Sequence, residues 1–471
     1  MTSMGGMEEN PLSLLPELFL LLGAVAGLLL GLWTPQHRQG RVRLVALIAC
    51  GASAVAAGAA MTQPAQVVFD GVWTIDLVTG TVRLSVAAAT ALTIVLASPT
   101  FDGHPRQSEA YVLMLLGALG ADALAAASDL LLLVAAYLLA SVPLYALAGF
   151  AKDAAGVEAT VKYYLMGALV GVLLLVGVAA LVLATGLTGY PGLAQALPAV
   201  SRPLVAVGVL GVVAGVLFKA GAVPVHFWVP DVADGATTPA AAFITTVPKL
   251  GAVAAAFRLL SEAFVGVDLD VSLLVAVVAT ASMTLGNLGA FAQESVRRLL
   301  GYSTISQVGY LLMVVAVAAR TDAATPALAV YLAAYAVTNV GAFAAAAAVP
   351  AATVLGSWRG TGRQHPWLLV SLAVCLLGLV GTPPTAVFVG KLTVFAATAD
   401  GGLFWLVVVA AVNTVASLFY YLRWIAPAFG SAQEGATPAV LARTPASVLH
   451  ACAAASLVLG AGVAIALSLV V

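Results

Sequence analysis

Fourteen apolar stretches, each long enough to cross a bilayer as a helix, follow one another along this chain. They lie near 11–33, 42–60, 73–98, 109–127, 130–150, 159–187 and 203–229, then near 238–260, 271–292, 301–319, 326–349, 366–398, 402–428 and 447–471. Spanning the ~30 Å hydrocarbon layer takes about 20 apolar residues as a helix. Of the 471 residues, 62% are hydrophobic and 8% charged. A soluble domain carries about 25% charged residues, and a soluble fold could not hide so much apolar surface. The pattern predicts an all-α integral membrane protein of about fourteen transmembrane helices. The stretch 366–398 is too long for one straight helix and holds Pro383 and Pro384, so a broken helix is expected there.

The same residues narrow the function. A net charge of −1 leaves no basic footprint for nucleic acid. Cys50, Cys375 and Cys452 stand far apart in apolar segments, without disulfide or metal spacing. His37, His104, His365 and His450 sit in or beside predicted loops, and only His226 lies within a membrane segment. No pair is set to grip a haem, so no cofactor or redox centre is expected in this chain. Glu8 and Glu9, with no Lys or Arg before the first apolar stretch, predict a retained first helix rather than a cleaved signal. Alternate loops carry Arg38, Arg41, Arg43, Arg106, Lys152, Arg297, Arg298, Arg359, Arg363 and Arg443, while the opposite set carries only Arg202 and Arg320. Positive loops stay in the cytoplasm, so both termini are expected outside a bacterial inner membrane.

Most arginines fall at helix ends, where a long side chain can snorkel. Three lysines do not. Lys219, Lys249 and Lys391 lie deep inside predicted spans. Each costs about 2.5–3.5 kcal/mol at mid-bilayer on insertion scales. All three adjoin helix-breaking sequence: Lys219 precedes Gly221, Pro224 and Pro230, Lys249 follows Pro248, and Lys391 follows Gly381, Pro383 and Pro384. Broken backbone at membrane depth is tolerated only inside protein or along a wet cavity. Lysine, freed carbonyls and water together suit a proton relay; a structural ion pair or a snorkelling chain is the plainer alternative. The lysine precedes the prolines in one broken segment and follows them in the other. Interrupted helices in two halves suggest two inverted five-helix repeats, each with a broken helix. The expected division is 1–108, 109–260 and 261–428 for the N-terminal helices and the two repeats, and 429–471 for the last helix.

Several runs carry a family resemblance. They are Phe218-Lys219, the run from Val223 to Asp231 with Pro224, His226, Trp228 and Pro230, then Asp234-Gly235-Ala236 with Pro239, and Lys249 with Arg258. Asn287-Leu288 and the run from Arg297 to Ser306 follow, then Gly309-Tyr310-Leu311, Gly381-Thr382-Pro383 and Phe388-Val389-Gly390-Lys391. The chain resembles the antiporter-like membrane subunits of proton-pumping NADH:quinone oxidoreductase, respiratory complex I, and its subunit N branch above all. The largest such subunits carry a long lateral helix after helix 14, which this sequence lacks. The resemblance implies a row of charged residues along the membrane midplane. Lys219 would switch the first half-channel, Lys249 would be the central relay and Lys391 would link to the second. His226 would pass protons between them, or else hydrogen-bond loose backbone carbonyls; both readings stand. The implied partners are neighbouring antiporter-like subunits and the lipid bilayer, with quinone and NADH reached only through other subunits.

One departure bears on pumping. The family usually has a glutamate about five residues before the run that is here Pro143-Leu144-Tyr145, and Leu138 stands there. Asp122 lies about eight residues before the turn near 129–130, as Leu138 lies about eight after it, so at about 1.5 Å per residue both reach one depth. Asp122 could therefore supply the missing carboxylate to Lys219, or hydrogen-bond locally or at the interface. Gln307 stands where relatives often carry histidine and cannot titrate. Asp231 and Asp234 read as loop and cap residues, and Glu158 with Lys162 as an i,i+4 pair. Three functions compete: a proton-translocating complex I subunit, a non-conducting paralogue in the same complex, and a cation/proton antiporter.

Overall fold

The computed structural model describes residues 10–35, 38–431 and 440–470; Glu8, Glu9 and His37 lie outside the described residues. In chain order the helices are α1 (Leu15–Trp33), α2 (Gly40–Ala60), α3 (Leu77–Phe101), α4 (Gln107–Ala126), α5 (Leu130–Leu139), α6 (Val142–Ala148) and α7 (Ala154–Thr185). Then come α8 (Tyr190–Ala196), α9 (Arg202–Ala220), α10 (Trp228–Gly235), α11 (Thr238–Arg258), α12 (Val271–Phe291) and α13 (Val296–Ala316). The last are α14 (Ala324–Ala348), α15 (Thr361–Gln364), α16 (Pro366–Val380), α17 (Ala386–Asp400), α18 (Phe404–Phe429) and α19 (Arg443–Val470). Among the described residues 13 helical segments are long and apolar enough to cross a membrane. The interrupted α16–α17 pair adds the broken crossing expected over 366–398.

Burial sorts the bundle. Every residue of α11 from Pro239 to Arg258 is buried. Neighbouring α13 and α14 are buried along most of their length. The outer helices expose apolar side chains instead, such as Leu165, Leu169, Val172 and Val176 on α7. An apolar outer surface suits lipid or a neighbouring subunit, where water would be absent.

Two local expectations are corrected. The span read as 73–98 begins at Leu77, because Trp73–Ile75 pairs with Gln66–Val68 in a short hairpin. Asp76 then caps the helix, its carboxylate accepting the Thr79 N–H at 2.9 Å. The span read as 130–150 divides into α5 and α6, since Pro143 has no N–H to continue the ladder. Arg83, unlike the arginines at helix ends, lies inside α3, fully buried, with Nε donating to Glu17 Oε1 at 2.6 Å.

Candidate functional site

The two broken helices stop in the same way. At the end of α9 the Gly221 N–H donates to the Phe218 carbonyl at 3.0 Å and the Ala222 N–H to the Leu217 carbonyl at 2.9 Å. At the end of α16 the Gly381 N–H donates to the Gly378 carbonyl at 2.8 Å and the Thr382 N–H to the Leu377 carbonyl at 3.1 Å. Both glycines are left-handed, with φ +77 and +91, which a Cβ disfavours. Each stop leads into a cis proline, Pro224 in one and Pro384 in the other. The first break is pinned by the Val223 N–H donating to Ser282 Oγ at 3.0 Å and by Trp228 Nε1–H donating to the Phe218 carbonyl at 3.2 Å.

All three lysines are buried, and each donates to a neutral oxygen. Lys219 Nζ donates to the Ala140 carbonyl at 2.9 Å. That carbonyl is free because the Leu144 N–H, its partner in an unbroken helix, turns to the Ser141 carbonyl instead, at 3.0 Å. The rings of Tyr137 and Tyr163 flank the ammonium at 5.1 and 5.9 Å, within range of cation–π attraction. Lys249 Nζ donates to Thr304 Oγ1 at 2.9 Å. A Cβ at Gly221 would lie 3.0 Å from that Nζ, so the break beside Lys219 also touches Lys249. Lys391 Nζ donates to the Val380 carbonyl at 2.9 Å and sits 3.7 Å from the centre of the Tyr310 ring.

Helix α13 joins Lys249 and Lys391. Thr304, Gln307 and Tyr310 recur every three residues and so share one face. Thr304 holds Lys249, and Tyr310 lies under Lys391. Between them Gln307 Nε2 donates to the Leu379 carbonyl at 2.8 Å and Oε1 accepts from Tyr331 at 2.6 Å. Gln307 and Lys391 thus take two successive carbonyls, Leu379 and Val380, that the end of α16 leaves open. His226 lies in the first break, half-buried, and its Nδ1 has no hydrogen-bond partner.

Asp122 does not meet Lys219. The equal depth is real, because Gly120 packs directly on the Ala140 backbone. The direction is different. Each residue turns a helix by about 100°. Gly120 faces α5, the Ala121 carbonyl meets Gly251 of α11, and Asp122 turns to the side of α1, α2 and α3. The α4 backbone stands between it and Lys219. Leu138 is 49% exposed and lies on the outer face of α5. Among the described residues no ion pair includes Lys219, Lys249 or Lys391.

Other polar residues hold the frame. Asp231 pairs with Lys162 at 3.0 Å and with Arg298 at 2.8 Å. Asp234 accepts from Ser295 Oγ at 2.6 Å, and Glu158 pairs with Lys162 at 2.7 Å, as its spacing predicts. Arg258 is buried, with Nε donating to the Ala125 carbonyl at 2.7 Å and Nη2 to Asp76 at 2.6 Å. The tyrosines around Lys219 and the Glu17–Arg83 pair were not foreseen. For Arg83 the signal was available, since it falls inside an apolar stretch.

Comparison with known proteins then decides the family. The family model described as NADH:quinone oxidoreductase/Mrp antiporter, transmembrane, matches residues 127–417. NADH-quinone oxidoreductase subunit N 1 of Streptomyces griseus is 52% identical over 466 residues, covering 98% of each chain. The chain belongs to the NADH-quinone oxidoreductase subunit N family. Subunit N of a Mycobacterium species is 48% identical over 453 residues, covering 96% of each chain. A chain of respiratory complex I from Thermus thermophilus superposes with a TM-score of 0.81 at 31% identity, covering 94% of this chain and 96% of that one. The protein is thus a multi-pass membrane subunit with the antiporter-like fold of that enzyme complex. The matched segment holds all three lysines and both breaks. Glu17, Arg83 and Asp122 lie before it.

Proposed function

We propose that Lys219, Lys249 and Lys391 carry protons across the membrane in a complex I-type NADH:quinone oxidoreductase. The chain acts as a proton-translocating membrane-arm subunit, beside other antiporter-like subunits. The carrying observation is that each buried ammonium rests on a neutral acceptor, with α13 running between the second and third. A lysine locked to a carboxylate would leave a buried orphan charge on losing its proton, at a cost of several kcal/mol. A lysine on a carbonyl or hydroxyl loses its proton and still donates an N–H. The Thr304 hydroxyl both accepts and donates, so it can relay beside Lys249. Gln307 orients water and carbonyls without titrating. His226, in the first break, is a further titratable group on the Lys219–Lys249 side.

Translocation is the share of the enzyme's work that this chain performs. This share needs no redox centre or cofactor in the chain: NADH and quinone react in other subunits, whose chemistry drives the row. The two breaks support two inverted repeats over 109–260 and 261–428, after N-terminal helices in 1–108 and before the last helix in 429–471. The loop arginines support a bacterial inner membrane with both termini outside.

The test is proton uptake by membrane vesicles containing the assembled complex, driven by its own electron donor. Lys219→Ala is expected to abolish most of the uptake assigned to this subunit while assembly stays intact. Uptake equal to wild type would leave the chain a non-conducting scaffold, the reading that the missing acid beside Lys219 favours.

A further inference from the structure

We propose that Asp122, together with the Glu17–Arg83 pair, forms a second proton-binding site, walled off from the lysine row by the backbone of α4. Arg83 donates from Nε to Glu17 Oε1 at 2.6 Å, and from Nη2 to Glu17 Oε2 at 2.9 Å and to the Ser13 carbonyl at 3.2 Å. Its Nη1 is buried and has no partner. Asp122 is 0% exposed, and neither of its carboxyl oxygens has a partner.

Packing brings these groups to one level. A Cβ at Gly31 would touch Ser108, one at Gly27 would lie 3.4 Å from Val112, and one at Gly23 would lie 3.5 Å from Leu115. Helices α1 and α4 are therefore antiparallel. Continuing that register for about two more turns sets Glu17 opposite Asp122. The titratable groups facing Asp122 come one from each N-terminal helix: Glu17 of α1, Cys50 of α2 and Arg83 of α3. On its other sides α4 meets α5 and α11 through Ala140 and Gly251. Ser53, one turn past Cys50, adds a buried hydroxyl without a partner.

Charge counting then assigns the proton. Two carboxyl groups share one guanidinium, and Glu17 takes it through two hydrogen bonds. A bare carboxylate with no partner in apolar surroundings is far more costly than the neutral acid. Asp122 therefore holds a proton at rest. When that proton leaves to water, Arg83 Nη1 is the free donor that can turn to the new carboxylate. A cavity of about 540 Å³ lies on the Glu17 side of the site, lined by Ser13, whose carbonyl Arg83 holds, and by Pro16, Ala56 and Ala59.

Infrared spectroscopy of the assembled complex in membranes, at rest, tests the site without calling on turnover or on the lysine row. The wild-type minus Asp122→Asn difference is expected to contain one protonated-carboxyl C=O band, which shifts downward in heavy water. Asp122→Leu, which removes the carboxyl without adding an amide, gives the same band if the asparagine variant fails to assemble. A difference containing only ionised-carboxylate bands, or an acid band unmoved by heavy water, would overturn the proposal.

Discussion

Lys391 meets both the open Val380 carbonyl and the Tyr310 ring, and the neighbouring Leu379 carbonyl goes to Gln307. Side chains thus replace the helix ladder where α16 stops. Gln307 is a positioning residue whose removal orphans two buried groups, the Leu379 carbonyl and the Tyr331 hydroxyl. Each orphan costs about 1–3 kcal/mol. Gln307→Leu is therefore expected to lower the melting temperature of the assembled complex and to reduce proton uptake. Gln307→Glu, which keeps the acceptor for Tyr331, should retain more of both. Equal stability and uptake in Gln307→Leu and wild type would show that the Leu379 carbonyl finds another partner.

At the scale of the element, the two breaks depend on glycines that combine a left-handed conformation with close approach. A Cβ at Gly221 would lie 2.8 Å from Val229 Cγ2 and 3.0 Å from Lys249 Nζ, and one at Gly381 would lie 2.9 Å from Lys391 Cδ. The left-handed backbone alone costs an alanine about 1–2 kcal/mol. Gly402 is a control, left-handed at φ +82 with nothing within 4 Å of its would-be Cβ. Gly221→Ala and Gly381→Ala should lower proton uptake per assembled complex, whereas Gly402→Ala should cost only stability. Native-gel yields beside uptake assays separate the two effects. The division of helix five belongs to this scale as well. Pro143 is visible in the sequence, yet that its break would present the Ala140 carbonyl to Lys219 follows only from the packing of α9 and of the α5–α6 break on their shared neighbour α7.

For the molecule as a whole, buried arginines tie the helices where the lysine row does not reach. Arg258 joins the end of α11 to Asp76 before α3 and to the Ala125 carbonyl of α4, and also pairs with Glu262 at 2.8 Å. Removing one partner of a buried pair costs about 3–5 kcal/mol. Arg258→Met is expected to cut the yield of assembled complex sharply while leaving uptake per complex near wild type. Lys162→Met, at an ion pair half open to solvent, should change yield little, since exposed pairs are worth about 0–1 kcal/mol. A loss of uptake per complex in Arg258→Met at normal yield would instead give Arg258 a part in conduction.

By itself the sequence determined the membrane fold, the number of crossings, both broken helices and the three buried lysines. Those properties are one-dimensional: apolar length, proline and glycine position, and a charge where charge is costly. It also held the depth of Asp122, because rise along a helix is constant. Only the tertiary structure decided which way Asp122 points, because facing depends on the rotation of α4 against its neighbours. The same packing brought Thr304, Gln307 and Tyr310 between Lys249 and Lys391, turned Leu138 outward, and paired Glu17 with Arg83 across 66 residues of chain. Contacts between distant segments are set by how helices rotate and register on one another, which no single segment's composition records.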